Sequence, residues 1–341
     1  MEKGRNKVFG REFKFSNIFK TAVFVITLVF GIYPNTVFAE KPIVLKGVSA
    51  FPKSHPVNAS IPAFIDMVNK ESNGKLSIKW VGGPEVMKAF DQIDALKAGI
   101  VDILLFMPCG YFKPILPAAE IMGLSEYPAW KEREIGAYEL WDKLFKEKAN
   151  AKFLGRFVSD IPYHIYCNPK ISNLGDLKGL NIRVMPLYVP FVKSLGASPV
   201  TLSAMEIYTA MQRHVVDGFI WPAWGVTGLG WHEVTKYMVE PGVFQLDPII
   251  VVNLNKWNKI PKKLQATLND CMKKMERVAT DSALKKGQQE MIIMEKAGMK
   301  KTYLSPEDSR KFRALAYEAT WKELIKKAPI YGPQFKKILS K

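Results

Sequence analysis

Cysteine and histidine are scarce, with three Cys and four His in 341 residues. Cys109, Cys167 and Cys271 form an odd set with no CxxC or metal-type spacing, which excludes a disulfide framework and a zinc ribbon. One bridge, Cys109–Cys167, and three buried free thiols are the two readings left. His55, His164, His214 and His232 stand far apart, and His232-Glu233 lacks the second His of a metalloprotease helix. The chain has no G-x-S-x-G elbow and no P-loop, and Gly228-Leu229-Gly230 lacks the third glycine of a dinucleotide fingerprint. No acid/base pair stands out for catalysis. After residue 39 no apolar run approaches the roughly 18 residues that would span a bilayer. No basic run is interleaved with aromatics in the way a nucleic-acid groove is.

What is present is an ordinary globular balance, 48% apolar and 24% charged, with a formal net charge of +17. The length suits two lobes, each able to hold its own core. Residues 1–39 read as a secretory signal. Lys3, Arg5, Lys7, Arg11, Lys14 and Lys20 form a basic leader, Thr21–Tyr33 is apolar, and Val37-Phe38-Ala39 fits a small-x-small cleavage site. Cleavage after Ala39 and export to the periplasm are expected. The apolar run is too short to span a bilayer comfortably, so an uncleaved anchor is the lesser alternative. No lipobox-type Cys follows it. Removal takes away six basic and two acidic residues, so +17 becomes +13. Most remaining Lys lie in the C-terminal helical stretches, where a solvated face accounts for them; a positive field would also concentrate anionic solutes.

The informative stretch is Asp176–Pro222, which reads strand, helix, strand, helix, strand. Ile182–Met185 is a short apolar strand holding one charge, Arg183. A helical stretch, Tyr188–Gly196, stops at a glycine that tolerates φ > 0. Ser198–Leu202 is a strand. Ser203 with Glu206 has capping-box spacing for a helix to about His214, and Val215–Trp221 is a third strand. This alternation gives an α/β unit with a mostly parallel sheet. A guanidinium in an apolar strand is costly to bury unless an anion pairs with it. That anion is either a carboxylate of the same domain or the carboxylate of a ligand, which its planar fork fits.

DLKGLNIRV, LGASPV, EIYTAMQ and VVDG, followed by Pro222, resemble in order and spacing the solute-binding proteins of TRAP (tripartite ATP-independent periplasmic) transporters, the DctP type. The resemblance covers nearly all of the mature chain. It implies a two-lobed periplasmic-binding-protein fold with mixed sheets flanked by helices. Lobe I would comprise 40–162 and 247–285, and lobe II 163–246 and 286–341, with a long C-terminal helix, Pro261–Ala297, bracing both. It implies a receptor, not an enzyme, that closes on a small organic acid anion and delivers it to TRAP-type membrane permease subunits. In the family the arginine at the position of Arg183 clamps the ligand's carboxylate. No cofactor, metal or nucleic acid is implied, and a monomer is expected over a dimer.

Other cleft candidates follow from position. Pro42–Ser49 is the first strand, and Phe51 and His55 lie in the loop after it, where open α/β folds bind ligands. A helix (Val57–Ser72), a strand (Leu76–Val81), a helix (Met87–Ala98) and a strand (Val101–Phe106) follow. The family lines its pocket just beyond that strand, and here Phe106, Met107 and Tyr111 are apolar; core packing is the alternative. Leu154–Pro162 should cross between lobes. Tyr163 falls where the sialic-acid binders carry a second arginine, which speaks against a sugar-acid ligand. His164 is either a titrating cleft residue or a structural one. Trp221 stands where many members have Asn, and Ile220 where metal-dependent 2-oxo-acid binders have an acid. With Tyr188 and Trp224, these residues suggest a monocarboxylate with an apolar or aromatic body; lid or core packing is the alternative for Trp224. A break is expected at Pro241-Gly242, a returning strand at Pro248–Leu254, and a last helix at Glu307–Lys327. Other functions to weigh are a C4-dicarboxylate or sugar-acid receptor, a feeder of a sensor kinase, and a secreted enzyme using His164 or Cys167.

Overall fold

In a computed structural model, which describes residues 41–341, the chain builds two mixed sheets. The strands are β1 (Ile43–Ser49), β2 (Leu76–Gly82), β3 (Ile103–Pro108), β4 (Ala151–Arg156), β5 (Tyr163–Cys167), β6 (Asn181–Val184), β7 (Ser198–Thr201), β8 (Gly218–Pro222), β9 (Tyr237–Val243), β10 (Pro248–Asn253) and β11 (Lys300–Tyr303). The first sheet has the order β2-β1-β3-β10-β4 and the second β11-β9-β5-β8-β6-β7. β1 runs parallel to β2 and β3, and β6 parallel to β7 and β8, while β10 and β5 are antiparallel to their neighbours. The apolar run Pro248–Asn253 is buried throughout and lies between β3 and β4, the place a continuous apolar strand belongs. Helices flank both sheets, as expected, and the long C-terminal helix is Lys262–Lys296.

Local chemistry sets several boundaries. Ser203 and Glu206 form the capping box, over a short turn that leads into helix Ile207–Gln212. Gly196, at φ +74°, follows the helix Val189–Ser194. The stretch Val57–Ser72 divides, because His55 Nδ1 accepts from Val57 N to cap a single turn and Pro62 opens the true helix, Ile61–Glu71. The next helix starts at Asp91 rather than Met87. Gln92 Nε2 donates to Met87 O and Ser49 O, 2.9 Å each, and holds 87–90 as a turn.

Two expectations need correction. The first half of Leu154–Pro162 is the end of strand β4, paired with β10 through main-chain bonds, so only its second half crosses between sheets. Pro241-Gly242 does not break the chain: β9 runs through both residues, with a cis peptide at Glu240-Pro241. Of the two readings left open for the cysteines, the structure has three buried free thiols. The expected signal segment, 1–39, lies outside the described residues.

The chain crosses between the sheets at 157–162 and at 244–247, and Asp160 and Phe244 adopt left-handed φ values of +58° and +57° there. Gln245 ties the two crossings together. Its Oε1 accepts from Asp160 N at 2.7 Å and from Arg156 Nη2 at 2.6 Å, while its Nε2 donates to Ser125 O and Tyr127 O. Among the described residues no helix is long and apolar enough to cross a membrane.

Candidate functional site

The carboxyl ends of β1, β3, β6 and β8 converge on a cleft between the sheets, the position where open α/β sheets take ligands. It has two compartments. An inner one of about 50 Å³ is lined by Phe51, Phe106, Pro108, Tyr163, Ile220, Trp221 and Trp224, among others. An outer one of about 480 Å³ is lined by Pro84, Lys88, Phe90, Leu202, Ser203 and Met205, among others. Phe51, Tyr111, Arg183, Met185 and Ala204 line both, so the guanidinium stands at the neck.

Arg183 is 1% exposed. Its Nε donates to Leu202 O at 3.0 Å and its Nη2 lies 3.5 Å from Met185 Sδ. Nη1 is buried with no partner, and no carboxylate among the described residues comes within ion-pair distance. Burial pulls its pKa down to about 10, so it stays cationic at neutral pH. The structural salt bridge left open by the sequence is therefore absent among the described residues. A buried, unpaired charge is held at a cost that the fold alone gives no reason for.

The surroundings are aromatic. Tyr111 and Tyr163 sit beside the guanidinium, and burial raises both phenols, so they remain protonated donors. Trp224 Nε1 is buried without an acceptor. Trp221 packs 5.8 Å from the guanidinium, but its indole N–H is spent on Trp224 O at 3.0 Å. The free indole donor is thus Trp224's rather than Trp221's. Phe106 stands at φ +49°, a costly conformation for an aromatic residue and the kind of strain found at functional sites. The Phe51 loop is held by Ser49 Oγ and Asn58 Nδ2 donating to Phe51 O. Gly83 permits this approach, because a Cβ there would lie 2.2 Å from that same oxygen.

Phe51, Phe106, Tyr111, Tyr163, Arg183, Trp221 and Trp224 are brought together, whereas four candidates are not. His164 faces away because strand neighbours alternate and Tyr163 takes the cleft side. It is buried at 3.4 Å from Val239 O and 3.6 Å from Glu240 Oε2, and burial lowers its pKa. Met107 is buried in the core of the first sheet, between the cleft residues Phe106 and Pro108. Tyr188 stands behind Tyr163, ring centroids 5.0 Å apart, and supports it. His55 likewise backs Phe51, stacked at 4.6 Å, with burial lowering its pKa to about 4. Burial raises the Cys167 thiol to about 12, so it is no nucleophile at neutral pH. Met185 and Ala204 escaped sequence reasoning. The period-2 rule could have found Met185, two residues along the strand from Arg183 on the same face. Among the described residues no group of three or more His, Cys, Asp or Glu is placed to hold a metal.

The model of bacterial extracellular solute-binding protein family 7, DctP, matches residues 48–328. The C4-dicarboxylate-binding periplasmic protein DctP of Rhodobacter capsulatus is 22% identical over 87% of this chain and 88% of its own length. A TRAP periplasmic solute-binding protein from Desulfovibrio salexigens, solved with orotic acid bound, superposes with a TM-score of 0.78 at 19% identity, covering 87% of this chain and 97% of that one. One from Sulfitobacter, with bound β-D-galacturonate, gives 0.74 at 17% identity, covering 88% and 100%. The chain belongs to the DctP family of bacterial extracellular solute-binding proteins, the substrate receptors of TRAP transporters.

Proposed function

We propose that this receptor captures a small organic monocarboxylate with an apolar or aromatic body. The observation that carries the reading is the buried guanidinium of Arg183 with Nη1 unpaired at the neck of an aromatic cleft. A ligand carboxylate there would accept from Nη1, with the Trp224 indole and the neutral phenols of Tyr111 and Tyr163 as further donors. The two sheets would centre two lobes that close on the acid, the contacts to both favouring the closed state. After export and signal removal at Ala39 the mature chain would act as a monomer in the periplasm and hand its ligand to the permease subunits. Relatives carry galacturonate or a C4-dicarboxylate in their names. A second reading, a dicarboxylate, is supported here by one residue, Lys88 in the outer compartment.

A thermal-shift screen of the purified chain against monocarboxylates, dicarboxylates and sugar acids tests this, since a ligand of the folded state raises the midpoint. Monocarboxylates with apolar bodies are expected to raise it, and Arg183→Ala to abolish the shift while leaving a folded protein. A shift that survives Arg183→Ala would overturn the assignment.

A further inference from the structure

Resting on the carboxylate role of Arg183 proposed above, we propose that the acid's body lies outward from the guanidinium. It would fill the outer compartment, and the cognate ligand would carry an apolar extension reaching the two lips, Phe90 and Met205.

Volume decides the direction. One water needs about 10–15 Å³ of such space, so the inner compartment of about 50 Å³ takes a carboxylate and little more. Its lining also includes both Arg183 and Trp224, whose Nη1 and Nε1 are buried donors without a partner. The outer compartment, about 480 Å³, has the size of a ligand site. Its walls are apolar from both sides: Pro84, Ala89 and Phe90 come from the first-sheet side, and Leu202, Ala204 and Met205 from the second. No Asp, Glu, Asn or Gln lines it, and its side-chain polar groups are those of Lys88, Tyr111, Arg183, Thr201 and Ser203, a sparse set for the several hydroxyls of a sugar acid. Ser203 Oγ already accepts from Met205 N at 3.3 Å.

The lips continue that wall into solvent. Phe90 is 52% and Met205 60% exposed, one on each side of the mouth. The Phe90 ring packs edge-on against Tyr111 with centroids 4.8 Å apart, and Tyr111 reaches the neck. An apolar path therefore runs from the cation to the surface. An extension along it would cover both lips at once and couple the two sides of the cleft through the ligand.

Calorimetric titration of the purified chain with benzoate and para-ethyl-, para-butyl- and para-hexylbenzoate, alongside succinate and glucuronate, tests the inference. Affinity is expected to rise roughly fourfold per added methylene until the compartment is filled. Phe90→Ser with Met205→Ser should flatten that dependence; both side chains are exposed, so their loss does not threaten the fold. Benzoate binding with no gain on lengthening would overturn the extension and leave Arg183's role standing. Alkylbenzoates that bind Arg183→Ala as well as wild type would overturn the anchor. Succinate tighter than every alkylbenzoate would overturn the apolar extension and make Lys88 the second anchor. Glucuronate tighter than all of them would overturn the apolar extension, and no binding by any acid would overturn both.

Discussion

At the scale of the residue, Arg183 carries a stability cost that the proposed carboxylate role would explain. A guanidinium with an unpaired nitrogen at 1% exposure destabilises the empty protein. Arg183→Met keeps the length of the stem and removes the charge. It is expected to stabilise the ligand-free protein by ~1–2 kcal/mol, as apolar replacement of buried charge does elsewhere, and to abolish the ligand-induced midpoint shift. Thermal melts with and without acid check both. A destabilised Arg183→Met would mean that the bonds to Leu202 O and Met185 Sδ matter more to the fold than the charge costs it. Arg183 was legible in the sequence because a charge inside Ile182–Met185 contradicts its surroundings. His164 was misplaced as a candidate because it is polar and near the mouth in sequence, while the strand's alternation gives the cleft to Tyr163. Which indole keeps a free N–H is not legible in the sequence, since only three-dimensional geometry shows that Trp224 O consumes the Trp221 N–H.

At the scale of the element, the long helix Lys262–Lys296 is attached to both sides of the cleft. Glu276 takes two bonds from Arg133, Nη2 to Oε1 at 2.6 Å and Nε to Oε2 at 2.8 Å, and the same Arg133 Nη2 donates to Leu154 O of β4. Thr280 Oγ1 accepts from Ser159 N in the crossing segment. Glu290, nearly three turns further on, accepts from Gly225 N at 2.8 Å and Thr227 N at 2.9 Å, in the loop just after Trp224. Glu290 thus positions a wall of the inner compartment from outside it. Glu290→Gln keeps the shape but turns an N–H toward one of those donors. We expect ~1–2 kcal/mol of destabilisation and a roughly three- to tenfold weaker Kd for the bound acid, read by melts and calorimetry; an unchanged Kd would mean that Trp224 holds its place without this anchor. The helix and the parallel strands were legible, since both follow from period and caps. Strands β9 and β11 were not. β9 carries Pro241-Gly242, which read as a terminator, and β11 pairs with β9 from 57 residues or more away in sequence, so no local pattern announces it.

At the scale of the whole molecule, the chain is a cation that binds an anion. Loss of the signal would leave +13, spread over Lys-rich helices whose ion pairs lie mostly at the surface. Such pairs add little to stability, and the excess charge costs the compact state some self-repulsion. The field has one clear use: it raises the local concentration of organic acids around a cleft whose neck is positive and whose mouth carries Lys88. A long-range field acts on encounter, whereas the proposed contacts at Arg183 would act on release. Raising ionic strength from about 0.01 M to about 0.15 M shortens the screening length from about 30 Å to about 8 Å. The association rate constant for a bound monocarboxylate should then fall severalfold while the dissociation rate constant holds, because the buried guanidinium is shielded from salt by protein. Stopped-flow Trp fluorescence, with Trp221 and Trp224 in the cleft, reads both. Association that ignores salt would show that lobe closure, not encounter, limits capture. Dissociation that accelerates with salt would show that the anion is held by exposed lysines rather than by Arg183.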